Sequence, residues 1–471
     1  MLFNSLEFAA FFAIFYVAYL LLFRWRRLQN VLLLVASYVF YGWWDWRFLS
    51  LIAISTLVDY AVGRGLASSE DPVYRKRLVT TSIVVNLGIL GFFKYFNFFV
   101  ASFTDAMASL GWQVDALTLN IILPVGISFY TFQTLSYSVD VYRKKMPAAD
   151  SLLDFGVFVA FFPQLVAGPI ERAARFLPQV QQPRRLSAGQ WEAGLYLLVW
   201  GLFKKVVLAD NAAQIANTVF NDHTSYEGLD LLVGALAFTL QIYGDFSGYS
   251  DIARGLAKWL GFDLMLNFRL PYFARDPSDF WERWHISLSS WLRDYLYISL
   301  GGNRGGTILT WRNLALTMLL GGLWHGARWN FVIWGAFHGA ILIAYRILRP
   351  NRSTDPPGVA GWAKAGLEWS VMSVFTVMGW IIFRAETAEQ IGYFFTHMGP
   401  STSSQTGELF LQLVFLWIPL WLVQIWQHRT RDLLCFTKAP APVGAAFLLL
   451  CVASSVLFGV REDIEFIYFQ F

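Results

Sequence analysis

Apolar runs of roughly twenty residues recur along the chain between short polar connections, and a helix of that length crosses about 30 Å of hydrocarbon at 1.5 Å per residue. The pattern predicts an all-α, polytopic integral membrane protein with about 10–12 membrane segments. The first run, Phe8 to Phe23, follows no basic residues and precedes no small-residue cleavage site, so it reads as a retained helix and not a secretory signal.

Two runs depart from simple crossing. Leu152 to Ile170 is basic on both flanks (Arg143 to Lys145 before; Arg172, Arg175, Arg184 and Arg185 after) and is broken by Pro163 and Gly168-Pro169, which predicts a re-entrant element. Asn313 to Tyr345 starts after Arg304 and Arg312, ends at Arg346, Arg349 and Arg352, and carries Trp324-His325-Gly326-Ala327-Arg328-Trp329-Asn330 in its middle. Two helices of roughly twelve residues, rising about 18 Å each, would meet there and place His325 at a junction inside the bilayer.

Between these runs lies Asn267 to Arg312, polar and rich in Trp and Tyr at helical spacing, which predicts an interfacial amphipathic helix pair closed by the turn Gly301 to Gly306. A Pro/Gly linker, Asp355 to Gly361, leads to three more apolar segments near 366–383, 408–426 and 443–460. No internal repeat is evident. The expected organisation is a single membrane domain over 1–471, with N-terminal helices in 1–150, a catalytic core in 151–350 and C-terminal helices in 351–471.

Composition sharpens this picture. Hydrophobic residues make up 56% of the 471 positions and charged ones 14%, against about a quarter charged in soluble domains. Two cysteines, Cys435 and Cys451, exclude a disulfide scaffold and read as buried thiols. A formal charge of +4 without a basic tract argues against nucleic-acid binding. The basic residues cluster in alternate connections: Arg24, Arg26 and Arg27; Arg64, Arg75, Lys76 and Arg77; Arg143, Lys144 and Lys145. The connections between hold only Arg47, and ten against one predicts cytoplasmic basic loops with the N-terminus outside, in the periplasm.

Of six histidines, His285, His325 and His338 fall in or beside embedded segments, where an ionisable group is costly and points to function. A neutral imidazole suits general-base work on a hydroxyl; the alternative is a histidine hydrogen-bonded between helices. His223, His397 and His428 lie in polar connections and read as surface residues. No metal-ligand spacing occurs, and no G-x-S-x-G surrounds Ser247. Asp245 and Asp251 read as helix caps before cation ligands. The Gly301–Gly306 turn reads as a loop, with a phosphate contact through Arg304 as the second reading.

The segments Leu123-Pro124-Val125-Gly126-Ile127-Ser128-Phe129-Tyr130-Thr131-Phe132-Gln133, Phe162-Pro163-Gln164-Leu165-Val166-Ala167-Gly168-Pro169, Phe280-Trp281-Glu282-Arg283-Trp284-His285-Ile286-Ser287-Leu288-Ser289, Trp291-Leu292-Arg293-Asp294-Tyr295-Leu296-Tyr297-Ile298, Gly321-Gly322-Leu323-Trp324-His325-Gly326 and Phe466-Ile467-Tyr468-Phe469-Gln470-Phe471 resemble the membrane-bound O-acyltransferase (MBOAT) family. Within it they are similar to the bacterial branch typified by the alginate O-acetylase. The resemblance covers essentially the whole chain. It implies that His325 is the catalytic residue and His285 the second family position. It also implies an acyl thioester donor, acetyl-CoA, approaching from the cytoplasm with no permanently bound cofactor or metal. Arg283, Arg293 and Arg304, on the same stretch, are candidates for the carrier's phosphates.

The implied acceptor is an exported or cell-surface polysaccharide, alginate-type first and cellulose or peptidoglycan as alternatives. The implied setting is the bacterial inner membrane, with a periplasmic acetyltransferase as partner. Rival readings are a passive transporter using the two histidines as a path, which lacks the expected internal symmetry, and an acyltransferase acting on lipid or protein.

Overall fold

The computed structural model describes residues 1–113, 119, 121–166, 168–349, 358–460, 464, 466 and 467. Arg352, the first three residues of the Asp355–Gly361 linker, Ala167 and the last four residues of the C-terminal motif lie outside the described residues.

All regular structure among the described residues is helical. The chain runs through α1 (Leu6–Leu21), α2 (Arg26–Asp45), α3 (Leu49–Ser68), α4 (Pro72–Leu90), α5 (Phe96–Ser109), α6 (Ile127–Tyr142), α7 (Leu152–Ala160), α8 (Phe162–Leu165) and α9 (Ala173–Gln181). It continues through α10 (Ala188–Phe203), α11 (Asp210–Asn221), α12 (Leu229–Trp259), α13 (Pro277–Arg283), α14 (Ile286–Trp291), α15 (Thr307–His325) and α16 (Trp329–Leu348). The last four are α17 (Val359–Arg384), α18 (Ala388–His397), α19 (Thr406–Thr430) and α20 (Ala441–Phe458).

Seven helical stretches among the described residues are long and apolar enough to cross a membrane: α2 with α3, α4 with α5, α12, α16, α17, α19 and α20. The larger number expected from sequence included runs that the structure shortens or breaks. Helix α1 has 16 residues. The 152–170 run is nine residues of α7 and four of α8, bent at Phe161 before Pro163, so neither piece spans hydrocarbon. The three C-terminal segments appear where hydropathy put them, as α17, α19 and α20, with α18 added between the first two.

Two expectations need correction. The 313–345 run is not a pair of twelve-residue helices: α15 has 19 residues and α16 has 20, so each rises about 28–30 Å. The reason is that α15 starts at Thr307 and carries Arg312 and Asn313 inside it. Asn313 is buried and donates to the Gly302 carbonyl at 3.0 Å, so a polar residue that lowers local hydropathy is satisfied within the fold. The 267–312 stretch does contain two short helical pieces, α13 and α14, but Phe280, Trp284, His285 and Leu288 are buried and do not form an interfacial face.

The chain divides into two compact units, residues 1–194 with 253–265, and residues 195–252 with 266–471. In the first, Asp59 of α3 accepts from Asn86 of α4 at 2.7 Å and Ser138 of α6 at 2.6 Å, tying three helices through a buried polar knot. Asp154 of α7 accepts from Asn30 of α2 at 2.7 Å and pairs with Arg26 at 3.3 Å. Glu171 is fully buried and accepts from the Met265 amide, while its Oε2 has no hydrogen-bond partner among the described residues.

In the second unit α15 and α16 form an antiparallel hairpin whose backbones touch. A Cβ on Gly322 would stand 2.1 Å from the Phe331 carbonyl oxygen, and one on Gly335 2.4 Å from that of Met318. Only hydrogen fits at those two crossings. Gly335→Leu is expected to cost at least about 1–3 kcal/mol by overpacking, read as a lowered Tm and lost monodispersity in detergent. Gly366→Ala, where an added Cβ meets nothing within 4 Å, should behave as wild type.

Burial pushes the Glu171 carboxyl up to about 7, only partly opposed by the Met265 amide. Its folded pKa lies above its unfolded one, so the associated stability is fully present below the unfolded value and is lost as pH rises through about 7. Glu171→Gln should therefore gain on wild type as pH rises, by roughly 3 kcal/mol at most near pH 8.5 and by little near pH 5. Parallel Tm-against-pH curves for the two proteins would refute this.

Candidate active site

The site is built within the second unit from the loop after α12, from α13 and α14, and from the α15–α16 hairpin. Asp276 caps α13 by accepting from the Asp279 amide at 2.8 Å, and Pro277 opens the helix where its missing N–H costs nothing. Alongside, residues 267–269 run next to 283–286: the Arg269 amide donates to the Arg283 carbonyl and the Ile286 amide to the Asn267 carbonyl, both at 2.9 Å.

This pairing holds His285 in the left-handed region at φ 43°, ψ 52°, a conformation that costs a non-glycine residue of order 1 kcal/mol or more. The strain is tied to a specific contact. Asn267 Oδ1 accepts from Ser287 Oγ at 2.9 Å and lies 3.0 Å from His285 Nδ1, while its amide nitrogen donates to Ser250 Oγ at 3.2 Å. With the amide oriented this way, Nδ1 carries the imidazole proton and Nε2 keeps the lone pair. Burial holds the ring neutral, pushing its pKa down to about 3.

His325 is the last residue of α15, and Gly326 leaves the helix with an extended backbone; a Cβ there would strike the Phe331 ring at 2.2 Å. The buried imidazole is ringed edge-on by Trp324, Trp334 and Phe383, with centroids 5.2, 5.0 and 5.3 Å away. Asn330 fixes the last of these, donating to the Phe383 carbonyl at 3.0 Å. His325 forms part of the wall of a cavity of about 360 Å³ that is otherwise mostly apolar. His285 stands behind that wall, with Trp324 against it at 5.8 Å, while the next residues, Ile286 and Leu288, do line it.

Three charged side chains share the cavity with His325, Glu282, Arg293 and Arg346, and Tyr297 and several Ser and Thr hydroxyls also line it. Arg293 and Tyr297 come from a π-helical turn, Leu292–Tyr297, that continues α14. Tyr297 and Arg346 both donate to Asn303 Oδ1, Arg346 at 3.4 Å, so the Gly301–Gly306 turn is latched to the cavity wall. Of the arginines singled out from sequence, Arg293 is in the wall. Arg283 pairs with Asp279 at 2.6 Å, one helical turn back, and neither it nor Arg304 lines the cavity. Arg346 is the cationic residue that sequence reading passed over, because it stood only as the end of an apolar run.

His338 is buried in α16 between Trp281 and Trp334, at 5.1 and 4.6 Å, and packs the back of the wall. His397 and His428 are exposed, and His223 is half-buried against Tyr393. Cys435 and Cys451 are buried. No group of three or more metal-ligating side chains occurs among the described residues. Asp245 and Asp251 do not cap anything: both lie inside α12, where Asp251 pairs with Lys204 at 2.7 Å and Asp245 with Lys205 at 3.1 Å. Lys204 also donates to Ser247 Oγ at 2.9 Å. Asp245 accepts the Ile467 amide at 2.7 Å, and Phe466 packs on Tyr249 at 4.5 Å, so the first two residues of the C-terminal motif are seated on this charged cluster.

The profile of MBOAT, the membrane-bound O-acyltransferase family, matches residues 40–384, nearly the whole span from α2 to the end of α17. The chain belongs to this family. It is therefore a multi-pass membrane O-acyltransferase, and the transporter reading falls. Among relatives, the "Probable alginate O-acetylase AlgI" of Pseudomonas aeruginosa is 47% identical over 77% of this chain and 68% of its own. The protein of the same name in Pseudomonas putida is 40% identical over 95% of each chain. The "Peptidoglycan O-acetyltransferase" of Helicobacter pylori is 35% identical over 76% of this chain and 71% of its own.

For this MBOAT chain the Asn267 clamp has a measurable consequence. Asn267→Leu leaves the His285 Nδ1–H and the Ser287 hydroxyl without their acceptor, and is expected to lower kcat by about tenfold or more. Asn267→Asp keeps an acceptor but raises the imidazole pKa from about 3, because a carboxylate favours the protonated ring. Its acyl-transfer activity should then fall sooner than that of wild type as pH drops. Identical pH profiles for the Asp variant and wild type would remove Asn267 from its positioning role.

Proposed function

We propose that the protein O-acetylates an exported or cell-surface polysaccharide at the bacterial inner membrane, with acetyl-CoA or a similar acyl thioester as donor and His325 as general base. Family membership and the relatives named as O-acetylases support the reaction class. The observation that carries the residue assignment is the place of His325, an imidazole at a helix end in the wall of a cavity that also receives Arg293 and Arg346. In the sequence of steps, an acceptor hydroxyl oxygen attacks the thioester carbonyl carbon while His325 takes the hydroxyl proton. The tetrahedral intermediate collapses, the carbon–sulfur bond breaks, and the thiolate leaves and is protonated.

Arg293 and Arg346 are suited to the carrier's phosphates, in place of Arg283 and Arg304, because they line the same cavity. His285, one layer behind and fixed as the Nδ1–H tautomer, acts on the site across Trp324. The charge pattern supports donor entry from the cytoplasm and an N-terminus in the periplasm. An alginate-type acceptor is favoured over peptidoglycan by the higher identities, 47% and 40% against 35%. Final delivery through a separate periplasmic acetyltransferase belongs to the same reading.

His325→Ala is expected to insert and accumulate as wild type while acetyl content of the polysaccharide falls to background. Normal acetylation in that variant would sink the general-base assignment.

A further inference from the structure

The turn Gly301–Gly306, between the π-helical turn Leu292–Tyr297 and α15, takes no part in the steps above. Gly301 and Gly302 lie at φ 109° and 56°, a region open to glycine, and fold the chain back so that the Gly302 amide donates to the Tyr297 carbonyl at 2.9 Å. The Gly302 carbonyl is held in turn by the buried Asn313 side chain of α15 at 3.0 Å. The next residue, Asn303, therefore starts from a fixed point. Its Oδ1 accepts from two residues of the His325 cavity wall, Tyr297 and Arg346, the latter at 3.4 Å.

Arg346 is distinguished by the kind of partner it has. Arg293, the other cation in the wall, pairs with Asp294 at 2.8 Å, and the carboxylate of the wall, Glu282, acts on Arg293 as well. Arg349, three residues beyond Arg346, pairs with Glu368. Arg346 itself makes no ion pair among the described residues, and its one hydrogen bond there goes to the neutral Asn303 amide. A guanidinium carries five N–H donors, so this contact aims the group and leaves both its charge and its remaining donors available. Arg346 is also remote from the chemistry. Trp334, which stands edge-on to His325, lies twelve residues before it on α16, about 18 Å of helix.

We propose that Asn303 is a positioning residue for donor binding: it holds Arg346 in the cavity wall with its charge uncompensated, for a phosphate of the thioester carrier. This rests on the reading above that Arg346 meets the carrier's phosphates. Guanidinium and phosphate make paired, charge-assisted hydrogen bonds, which need the guanidinium aimed and free of a carboxylate. An amide at position 303 meets both requirements, since it accepts a hydrogen bond and has no charge. A carboxylate there would accept from the same two donors but would pair with Arg346 and repel the phosphate.

The test is the coenzyme A affinity of the full-length protein in lipid nanodiscs, by isothermal titration calorimetry, for wild type, Arg346→Gln, Asn303→Ala and Asn303→Asp. Asn303→Asp keeps the acceptor, and with it the turn, yet should bind about five- to tenfold more weakly than wild type at low salt. That ratio should shrink to less than about twofold near 1 M salt, where charges are screened within about 3 Å. Asn303→Ala should weaken binding about threefold or more by loss of the acceptor. With acetyl-CoA as donor, the loss in both variants should fall on KM and not on kcat. Wild-type affinity in Asn303→Asp makes Asn303 a structural latch only and overturns the proposal, as does a loss that salt does not relieve. Wild-type affinity in Asn303→Ala overturns it too. Arg346→Gln separates this from a failure of the donor reading. If Arg346→Gln binds coenzyme A as wild type does, Arg346 does not meet the carrier and the donor assignment falls; if it binds weakly while Asn303→Asp does not, the role of Asn303 alone falls.

Discussion

The contact on which the site depends is the backbone-to-backbone crossing of α15 and α16 at Gly322 and Gly335. In a membrane there is no hydrophobic effect to press helices together, so close packing and polar contacts must do so. With side chains absent at the crossing, the two helices approach closely enough for the Phe331 ring to lie directly against Gly326, the residue after His325. Trp334, one turn into α16, then stands edge-on to the imidazole. Separating the helices by the width of a methyl group would open the aromatic cage of Trp324, Trp334 and Phe383 around His325.

Around that hairpin the second unit buries polar groups in pairs. Lys204 and Lys205 meet Asp251 and Asp245, and Asn267 meets His285, Ser287 and Ser250. Buried ion pairs add little net stability once desolvation is counted, and their best-attested value is in fixing one arrangement over others. Here they fix register: Asp245 anchors Ile467, and its neighbour Phe246 lies against the His285 ring at 4.6 Å. Ile467 and the second histidine are thus held by consecutive residues of α12.

Much of this was legible in the sequence, for physical reasons that can be named. The C-terminal spans were read correctly because their polar residues are few and hydropathy reports them directly. The breaks at Pro163 and at Trp324–Asn330 were visible because proline and clustered polar residues interrupt apolar runs. The length of α15 was not, because Asn313 is satisfied by a carbonyl eleven residues back, and hydropathy counts it as if it faced lipid. Asp245 and Asp251 were misread because their partners lie some forty residues earlier, beyond the range of any local pattern. That Arg293 and Arg346 line the His325 cavity while Arg283 and Arg304 do not was not legible, because charge and side of the membrane are one-dimensional signals, while sharing a cavity is three-dimensional.

The π-helical turn Leu292–Tyr297 has a consequence for how this segment can vary. A π-turn holds one residue more than the α-turn it replaces. Removing one residue from it would restore an ordinary α-turn and re-aim the side chains within that turn. Tyr297 would swing off Asn303, and the glycine turn would lose one of its two anchors to the cavity. The six residues Leu292–Tyr297 are therefore under a strict count.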